Sequence, residues 1–278
     1  MDKRAIKNIK ISSADYPEML KEISDPPQEI NILGEIKKSE EAPKVAIVGT
    51  RRPTRYGLET AANLACELSR AGIVVVSGLA LGIDSAAHRG AIEGGTPTWA
   101  VIGSGLLNIQ PTINRRLAEK IIETGGAIIS EYPQAYPANK WTFPQRNRIV
   151  AGLAGAAIVV EAPEHSGALI TADLAMQYNR DVGAVPGEIN SINSRGTNAL
   201  IKNGAAVIRN AGDVLELIGW IPKTPGLDKF DELENNILRC LDRPQGADEI
   251  MSALDQNISV INQKLTALEI KGAIKNMS

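Results

Sequence analysis

The chain is poor in the residues that build metal centres and thiol chemistry. Its 278 residues include only two cysteines, Cys66 and Cys240, and two histidines, His88 and His165. The cysteines are far apart in the sequence and lie in apolar helical patterns, where an unpaired thiol packs as a small hydrophobic side chain. No group of cysteines and histidines has the spacing of metal ligands. We therefore expect two structural thiols and no zinc site.

Long hydrophobic runs are also missing. No apolar stretch approaches the roughly 20 residues that a membrane-spanning helix needs. The N-terminal sequence MDKRAIKNIKISSADYP lacks the hydrophobic centre of a secretory signal. With 44% hydrophobic residues, the chain is still long enough to bury the core of one large and one small domain. These features predict a globular, cytoplasmic protein with no membrane partner.

Neither positive charge nor aromatic residues are abundant. The formal net charge is −2, and aromatic residues make up 4% of the chain. Proteins that bind duplex DNA without sequence preference usually present a broad basic face, which this composition does not provide. Any nucleic-acid site must therefore be local. The pair Trp141 and Phe143 concentrates a scarce residue class in one short segment.

The sequence does contain a series of short, continuous apolar runs separated by helical patterns. Such runs are typical of parallel strands that are covered by helices on both faces. Right-handed crossovers bring the carboxyl ends of these strands to one edge of the sheet, where ligands bind. We predict an α/β fold with a doubly wound, mostly parallel sheet, and its strands are residues 45–48, 73–76, 99–102, 127–130, 157–160, 183–185 and 206–208.

Composition shifts divide the chain into four segments. Residues 1–43 are predicted to form an arm, with a turn and a short strand, that packs against the main domain at residues 44–220. Residues 221–229 contain two prolines and a glycine and are predicted to be a linker. Residues 230–278 contain three short helical patterns in the outline of a helix-turn-helix with a truncated wing. We predict a small winged-helix-like domain there.

The turn after the first main-domain strand, GTRRPTRYG at residues 49–57, carries three arginines. Gly49 allows a close backbone approach, and the helix that follows directs its free N–H groups at an anion. Arg51 and Arg52 occupy positions where a dinucleotide-binding motif needs glycine, so we expect no NAD at this turn. A solvated run of charge is the alternative interpretation. The predicted place of the turn at the ligand-binding edge favours an anion site.

Residues 141–155, WTFPQRNRIVAGLAG, place two aromatics, two arginines and an asparagine ahead of an apolar run. If a helix begins near Gln145, its first turn carries Arg146, Asn147 and Arg148, where side chains and free N–H groups can meet phosphate oxygens. The two aromatics just outside the helix could stack on bases, which is the usual way of binding single strands. The alternative is that both aromatics are ordinary core residues.

A further anion site is predicted after the fifth main-domain strand, where Ser166 and Gly167 open a helix. A later loop adds Arg195 among small residues. Glycine turns, cations and helix starts therefore follow most strands. This arrangement favours an extended, phosphate-rich ligand over one small molecule.

Motifs of hydrolytic and phosphoryl-transfer chemistry are absent. The chain has no GxSxG elbow, no lysine-bearing P-loop and no HExxH sequence. Asp84, His88 and Glu131 are candidate acid–base partners, but nothing fixes a nucleophile beside them. We expect His88 to be a packed structural histidine, and we expect no hydrolytic activity.

Five motifs follow one another along the chain. They are GTRRPTRYG (49–57), SGLALGIDSAAH (77–88), SEYP (130–133) with FPQRNRIVAGL (143–153), SGALITADLA (166–175), and VPG (185–187) with RGTNALIKNGA (195–205). In order and spacing these motifs resemble those of the DNA-processing protein A family (DprA, also called Smf), and the resemblance runs from about Tyr16 to Ile218. It implies an extended Rossmann-like fold, binding of single-stranded DNA, a homodimer, and loading of the recombinase RecA onto incoming DNA during natural transformation. It also implies no nucleotide cofactor and no enzymatic activity.

The resemblance assigns roles to individual residues. The arginines of the first turn and of the QRNR segment would contact the DNA backbone, an aromatic side chain would border a base pocket, and a later helix start would add contacts. The predicted DNA-binding residues are Gly49, Thr50, Arg51, Arg52, Lys140, Phe143, Arg146, Asn147, Arg148, Ser166, Gly167 and Thr171.

The helix and strand after Gly196 resemble the self-association region of the family, with Asn198, Ile201 and Val207 as predicted dimer contacts. The sequence also departs from the family pattern. Thr50 stands where serine is usual, which keeps the hydroxyl, and Gln110 stands where a tyrosine is common.

Two other functions stay open at this level. One is a nucleotide-processing enzyme of the phosphoribohydrolase type, although its PGGxGTxxE motif has only the segment 166–171 as a counterpart, without the paired glycines or the glutamate. The other is a duplex-binding regulator that uses Lys264, Lys271 and Lys275 of the C-terminal segment. A solvated helix face is the simpler interpretation of these lysines.

Overall fold

The computed structural model of the chain describes residues 6–36, 41–221, 231–241, 245–254, 256–270 and 274. The chain divides into two compact units, Met1–Lys223 and Thr224–Ser278. The predicted arm and main domain both fall in the first unit. Apart from Ile221, the predicted linker at 221–229 lies outside the described residues.

The first unit is built on one sheet of nine strands in the order β1-β2-β6-β5-β4-β3-β7-β8-β9. The seven strands from β6 to β9 in this order run parallel, and β1 and β2 add to the β6 edge in antiparallel fashion. The predicted α/β fold with a mostly parallel sheet is confirmed. The strands are β1 (Ile6–Lys10), β2 (Glu29–Gly34), β3 (Lys44–Val48), β4 (Val74–Ser77), β5 (Trp99–Val101), β6 (Ala127–Ser130), β7 (Ala156–Val159), β8 (Asp181–Ala184) and β9 (Ala206–Val207).

Helices cover both faces of this sheet. Alternate residues of a strand point to opposite faces, so Ala46 and Val48 pack on α1, α5, α6 and α7, whereas Val45 and Ile47 pack on α2, α3 and α8. A third cluster packs α4 on β5 and β6. The helices are α1 (Glu18–Lys21), α2 (Arg55–Arg70), α3 (Ile83–Gly94), α4 (Arg115–Glu123), α5 (Thr142–Gly152), α6 (Gly167–Gln177), α7 (Arg195–Lys202) and α8 (Ala211–Leu217).

The predicted arm is a part of the sheet. The predicted short strand is β2, which pairs with β6, and β1 pairs outside it, with Ile9 opposite Ile30. Leu20 and Ile23 from the segment between the two strands are buried in the main core. The boundary predicted at residues 43 and 44 therefore does not separate two compact units.

The strand order reverses between β3 and β7. The chain leaves β3 through α2 to reach β4 on one side, and it leaves β7 through α6 to reach β8 on the other. β3 and β7 are neighbours, with Val48 opposite Val159. In doubly wound sheets, ligands bind in the crevice that such a reversal opens at the carboxyl ends of the strands.

The second unit contains three helices, α9 (Glu232–Cys240), α10 (Ala247–Leu254) and α11 (Ile258–Ile270). They pack around Ile237, Ile250, Ile261 and Leu268. The described residues of this unit include no strand, so the wing stays a prediction. Across the described ranges of both units, no helix combines the length and the apolar character of a membrane span.

Candidate nucleic-acid interface

A cleft of about 370 Å³ lies at the carboxyl edge of the sheet beside β3 and β7. It is formed by the turn after β3, the loop after β4, the N-terminal half of α5 and the start of α6. The structure brings nine of the twelve predicted DNA-binding residues into its wall, and Thr50, Arg52 and Arg148 lie outside it. The nine are Gly49, Arg51, Lys140, Phe143, Arg146, Asn147, Ser166, Gly167 and Thr171.

The turn after β3 is held in shape by a buried carboxylate. Glu161 accepts hydrogen bonds from the Thr54 backbone N–H at 2.9 Å and from the Thr54 hydroxyl at 2.5 Å. Thr54 in turn caps α2 by accepting from the Gly57 N–H at 3.2 Å. A side chain at Gly57 would overlap the Glu161 carboxylate, so this position needs glycine. These contacts fix the segment that carries Arg51 and Arg52.

Thr50 and Arg52 serve the turn and do not reach the cleft. The Thr50 backbone N–H donates to the Glu161 carbonyl at 2.7 Å, and its buried hydroxyl accepts from the Arg52 N–H at 3.2 Å. The Arg52 side chain is exposed, and its carbonyl accepts from Asn193 at 3.0 Å. The structure therefore gives Thr50 a conformational role where the sequence predicted a ligand contact.

Helix α5 begins three residues earlier than predicted, at Thr142. The Asn139 carboxamide oxygen accepts from the backbone N–H groups of Trp141 and Thr142, at 3.0 and 3.2 Å, and thereby fixes the entry into the helix. Phe143 consequently lies in the first turn, and Arg146 lies one turn further along. The prediction that the helix begins near Gln145 was wrong.

Arg146 forms the floor of the cleft. Its side chain is buried, and its Nη1 donates to the carbonyl of Gly78 at 2.5 Å and also to the carbonyl of Val101. Burial lowers the pKa of Arg146 to about 10, an effect that the Asp84 carboxylate partly offsets, so the guanidinium stays charged near neutral pH. Its buried Nε has no hydrogen-bond partner among the described residues. One donor thus remains unused beneath the cleft.

Asp84 is the acidic side chain in the cleft wall, and it is held by the loop after β4. Its Oδ2 accepts from the N–H groups of Gly78 at 3.1 Å and Ala80 at 3.4 Å. Burial raises the pKa of Asp84, against the opposing effect of the Arg146 charge. One carboxylate oxygen of Asp84 is therefore held by backbone N–H groups of this loop.

Arg148 lies outside the cleft wall and forms an ion pair, so its predicted contact with DNA stays a prediction. Its guanidinium forms a two-pronged contact with Glu131, with both N–O distances at 2.7 Å, and its Nε lies 3.0 Å from an Asp25 carboxylate oxygen. The side chains of Arg148 and Glu131 are each only 12% exposed. The carboxylates of Glu131, which follows β6, and of Asp25, in the predicted arm, therefore compensate the charge of Arg148.

The aromatic and basic side chains of the cleft rim lie together. The Arg51 guanidinium lies 5.1 Å from the centre of the Phe143 ring in a cation–π contact. Lys140 is exposed and lines the cleft. Trp141 is 79% exposed, so the alternative that it is a core residue is wrong. Phe143 is half-buried and forms a wall of the site.

The start of α6 closes the opposite side of the cleft. The Ser166 side chain accepts from the Ala168 N–H at 3.3 Å as the N-terminal cap. Gly167 is exposed, and its carbonyl accepts from the Asn147 side chain at 3.2 Å, which joins α6 to α5. Thr171 is buried one turn later and completes the wall. The helix N-terminus adds partial positive charge to the site.

A second cavity of about 400 Å³ adjoins the cleft and shares Arg51, Gly78, Ala80 and Phe143 with it. Its other walls are mainly apolar, with the side-chain amides of Asn108 and Gln110 among them. The two neighbouring spaces therefore have part of their walls in common.

The residues considered for acid–base chemistry do not form a catalytic group. His88 is fully buried, with Nδ1 2.9 Å from the Thr98 hydroxyl, and burial lowers its pKa to about 3. Glu131 is paired with Arg148, and Asp84 is held by backbone N–H groups. No group of three or more His, Cys, Asp or Glu in the described part of the chain could hold a metal ion.

The sequence missed two residues that shape the site. Glu161 could not be identified from the sequence, because its partner Thr54 is more than a hundred positions away. The sequence also offered no reason for Gly78, where a side chain would overlap the Arg146 guanidinium. The glycine in SGLALG was a visible signal, but its reason requires the folded chain.

The predicted dimer residues lie at the far edge of the sheet. Val207 is exposed on the edge strand β9, and Ile201 is half-buried on α7. Asn198 is engaged within its own chain, donating to the Gly187 carbonyl at 3.0 Å and accepting from its N–H at 3.3 Å.

Of the three lysines considered for duplex binding, the structure describes only Lys264. Lys264 forms an ion pair with Asp231 and lies 3.6 Å from Glu234, so its charge is compensated. Lys271 and Lys275 lie outside the described residues.

A sequence profile of the family described as DNA recombination-mediator protein A matches residues 7–219. Among curated relatives, the protein Smf of a Synechocystis species is 43% identical over 211 residues, which cover 75% of this chain and 53% of that protein. The DNA processing protein DprA of Bacillus subtilis is 41% identical over 213 residues, which cover 77% of this chain and 71% of that protein. The chain thus spans about half to two thirds of the length of such relatives.

Two solved structures are similar over the same region. The DNA processing protein A of Streptococcus pneumoniae superposes with a TM-score of 0.71 and 39% identity, over 76% of this chain and 74% of that one. The protein of the same name from Helicobacter pylori, solved to explain its single-stranded DNA binding mode, gives a TM-score of 0.68 and 33% identity, over 76% of this chain and 94% of that one.

Proposed function

The chain belongs to the DNA recombination-mediator protein A family, and we therefore propose that its cleft binds single-stranded DNA. The observation that carries the proposal is the grouping of Arg51, Lys140 and Arg146 with the Phe143 ring at the carboxyl edge of the sheet. Cations positioned for phosphates beside an aromatic ring are the usual physical solution for unpaired strands. The relative from Helicobacter pylori, which binds single-stranded DNA, supports the same ligand.

The dimensions of the cleft favour an unpaired strand over a duplex. A space of about 370 Å³ can admit a nucleotide but not a double helix, in which the bases are stacked and paired. The net charge of −2 provides no broad basic face along which a duplex could lie. Phosphate contacts are therefore restricted to the few cations of the cleft.

In this proposal the chain binds and delivers DNA without a catalytic step. The names of its relatives point to DNA processing and recombination. We propose that the bound strand is incoming DNA in the cytoplasm, that two copies act as a homodimer, and that the complex loads RecA. The phosphoribohydrolase alternative finds no support, because the acid in the cleft wall is the backbone-held Asp84.

The proposal is tested by measuring the affinity for labelled single-stranded and duplex oligonucleotides across a salt series. For single strands, the logarithm of affinity falls with the logarithm of salt by about 0.7 for each phosphate contact. If each of the three cleft cations contacts one phosphate, the plot of log affinity against log salt should have a slope of about −2. Arg51→Ala and Lys140→Ala should each make the slope shallower by about 0.7.

Arg55→Ala is the matched control. Arg55 is an exposed arginine four residues from Arg51, but it pairs with Glu59 at 2.7 Å and does not line the cleft. Its removal should leave the slope unchanged. Equal affinity for duplex and single strands, or equal slopes for the Arg51 and Arg55 variants, would contradict the proposed function.

A further inference from the structure

We propose that Trp141 is a stacking platform for a nucleobase just outside the cleft, so that the bound strand continues across the N-terminus of α5. This inference rests on the proposed binding of single-stranded DNA. It assigns a specific contact that lies beyond the walls of the cleft.

The exposure of Trp141 has no structural explanation within its own unit. Tryptophan carries a large apolar surface, and Trp141 leaves 79% of it in solvent, whereas Trp99 is fully buried and Trp220 is half-buried. The described residues offer the Trp141 ring neither an aromatic stack nor a cation. An exposed indole offers a large, rigid and flat surface beside the cleft, on which a nucleobase can stack.

The backbone beneath this ring is nevertheless fixed. The Asn139 side chain accepts from the Trp141 N–H, and the Thr142 hydroxyl donates to the Asn139 carbonyl at 2.9 Å. The indole is therefore carried on an ordered helix start. A base that stacks on it meets a ring whose backbone needs no further ordering, which reduces the entropic cost of binding.

The position of Trp141 connects it to the cleft. Its preceding neighbour Lys140 lines the cleft, and Phe143 lies two residues later in the same wall. The Phe143 ring already has the Arg51 guanidinium over it at 5.1 Å. The aromatic ring of this segment with most of its surface free is thus Trp141. A strand that places a phosphate near Lys140 brings the adjacent base within reach of the indole.

Fluorescence provides a direct test, because Trp141 is the most exposed of the three tryptophans. Titration with a long oligothymidine should quench the emission of the wild type. Trp141→Phe should lose this quenching yet retain most of the affinity, since phenylalanine also stacks. Trp141→Ala should weaken binding roughly 5- to 140-fold, as a stacked base contributes about 1–3 kcal/mol.

The salt series separates stacking from charge. Trp141→Ala removes no phosphate contact, so its slope should equal that of the wild type, unlike that of Lys140→Ala. The control for lost apolar surface is Ile189→Ala, because Ile189 is 86% exposed and lines neither cavity. Its affinity should not change, and thermal melts should confirm that all variants are folded.

Each outcome has a distinct meaning. If the wild type binds single strands but Trp141→Ala binds equally well, this inference is overturned and the proposed function stands. If the wild type does not bind single strands, the proposed function itself fails. Emission that changes with protein concentration in the absence of DNA would assign the ring to a contact between copies of the chain, and it would also overturn the inference.

Discussion

Replacing Arg148 by alanine should destabilise the protein without removing a DNA contact. The Arg148–Glu131 pair has two N–O distances of 2.7 Å, and both side chains are only 12% exposed. The loss of one partner leaves a poorly solvated carboxylate without compensation, and breaking a buried pair in this way typically costs about 3–5 kcal/mol. Because some solvent reaches the pair, we expect about 3 kcal/mol. The Asp25 contact adds little, since Asp25 is 58% exposed.

Thermal unfolding gives the simplest measurement of this effect. For a domain of this size, 1 kcal/mol shifts the melting temperature by about 2–4 °C. Arg148→Ala should therefore lower the melting temperature of the first unit by about 6–12 °C. Lys7→Ala is the control. It breaks an ion pair with Glu35 whose partners are 56% and 36% exposed, and such surface pairs contribute about 0–1 kcal/mol.

The salt dependence of DNA binding then decides between the two roles of Arg148. At a temperature where the variant is folded, its slope for single-stranded DNA should match the wild type, whereas Arg51→Ala becomes shallower. Glu131→Gln should destabilise in a similar way, and the double variant should lose less than the sum of the single losses. An unchanged melting temperature together with a shallower slope would refute this reasoning and return Arg148 to the interface.

Three further predictions concern residues that the structure buries or packs near the cleft and in the core. Glu161→Ala should lower the free energy of unfolding by about 1.5–3 kcal/mol, because it removes the charged acceptor of two Thr54 hydrogen bonds. Thr54→Val removes part of the same interaction, so the double variant should lose less than the sum of the two single losses. Fully additive losses would contradict the interaction between Glu161 and Thr54. Gly78→Ala should weaken DNA binding, because the added methyl group would displace the Arg146 guanidinium. Gly155→Ala is the control, since a methyl group there would make only an ordinary van der Waals contact and should leave the affinity unchanged. Equal affinities of the two variants for DNA would refute the proposed displacement of Arg146. Burial lowers the pKa of His88 to about 3. As the pH falls from about 6.5, only the unfolded state is protonated at this histidine, so the wild type should lose about 1.4 kcal/mol of stability per pH unit. In denaturant titrations at pH 4–6, His88→Asn should reduce this pH dependence of stability, and an unchanged pH dependence would contradict the shifted pKa.

The sheet was predictable because its signal is local. Continuous apolar runs such as AIIS at 127–130 are found as strands within a residue or two of the predicted bounds. Their burial on both faces needs no information from distant residues. Strand β1 was missed because its sequence, IKNIK, has only two apolar residues, separated by two polar ones, and carries two lysines.

The start of α5 was misplaced for a local reason. Proline is tolerated in the first turn of a helix, where its missing N–H would have no partner, and Pro144 occupies that turn. Asn139 supplies the hydrogen bonds that stabilise the entry. Both residues were visible in the sequence, and together they indicate a start at Thr142. With the start at Thr142, Arg148 lies beyond the first turn of the helix, to which it was predicted to belong.

The sequence could not predict which arginines line the cleft and which form ion pairs, because this depends on partners that are distant in sequence. Arg148 meets Glu131 across 17 residues and Asp25 across more than a hundred, and Arg180 meets Glu22 from the same segment of the arm. Spacing alone gives Arg146 and Arg148 equal chances of reaching a ligand. Glu131, which follows β6, and Asp25, which belongs to the arm, both pair with Arg148.

This pairing is compatible with the proposed binding of a polyanion by a chain with a net charge of −2. The acidic residues Asp25, Glu22 and Glu131 neutralise arginines away from the cleft. The cleft wall contains the carboxylate of Asp84, which is held by backbone N–H groups, and three cationic side chains. The charged side chains of the wall therefore sum to a positive charge although the chain as a whole does not. In the proposed complex only a few phosphates are contacted, so the salt dependence should be modest and stacking should carry a correspondingly larger share of the affinity.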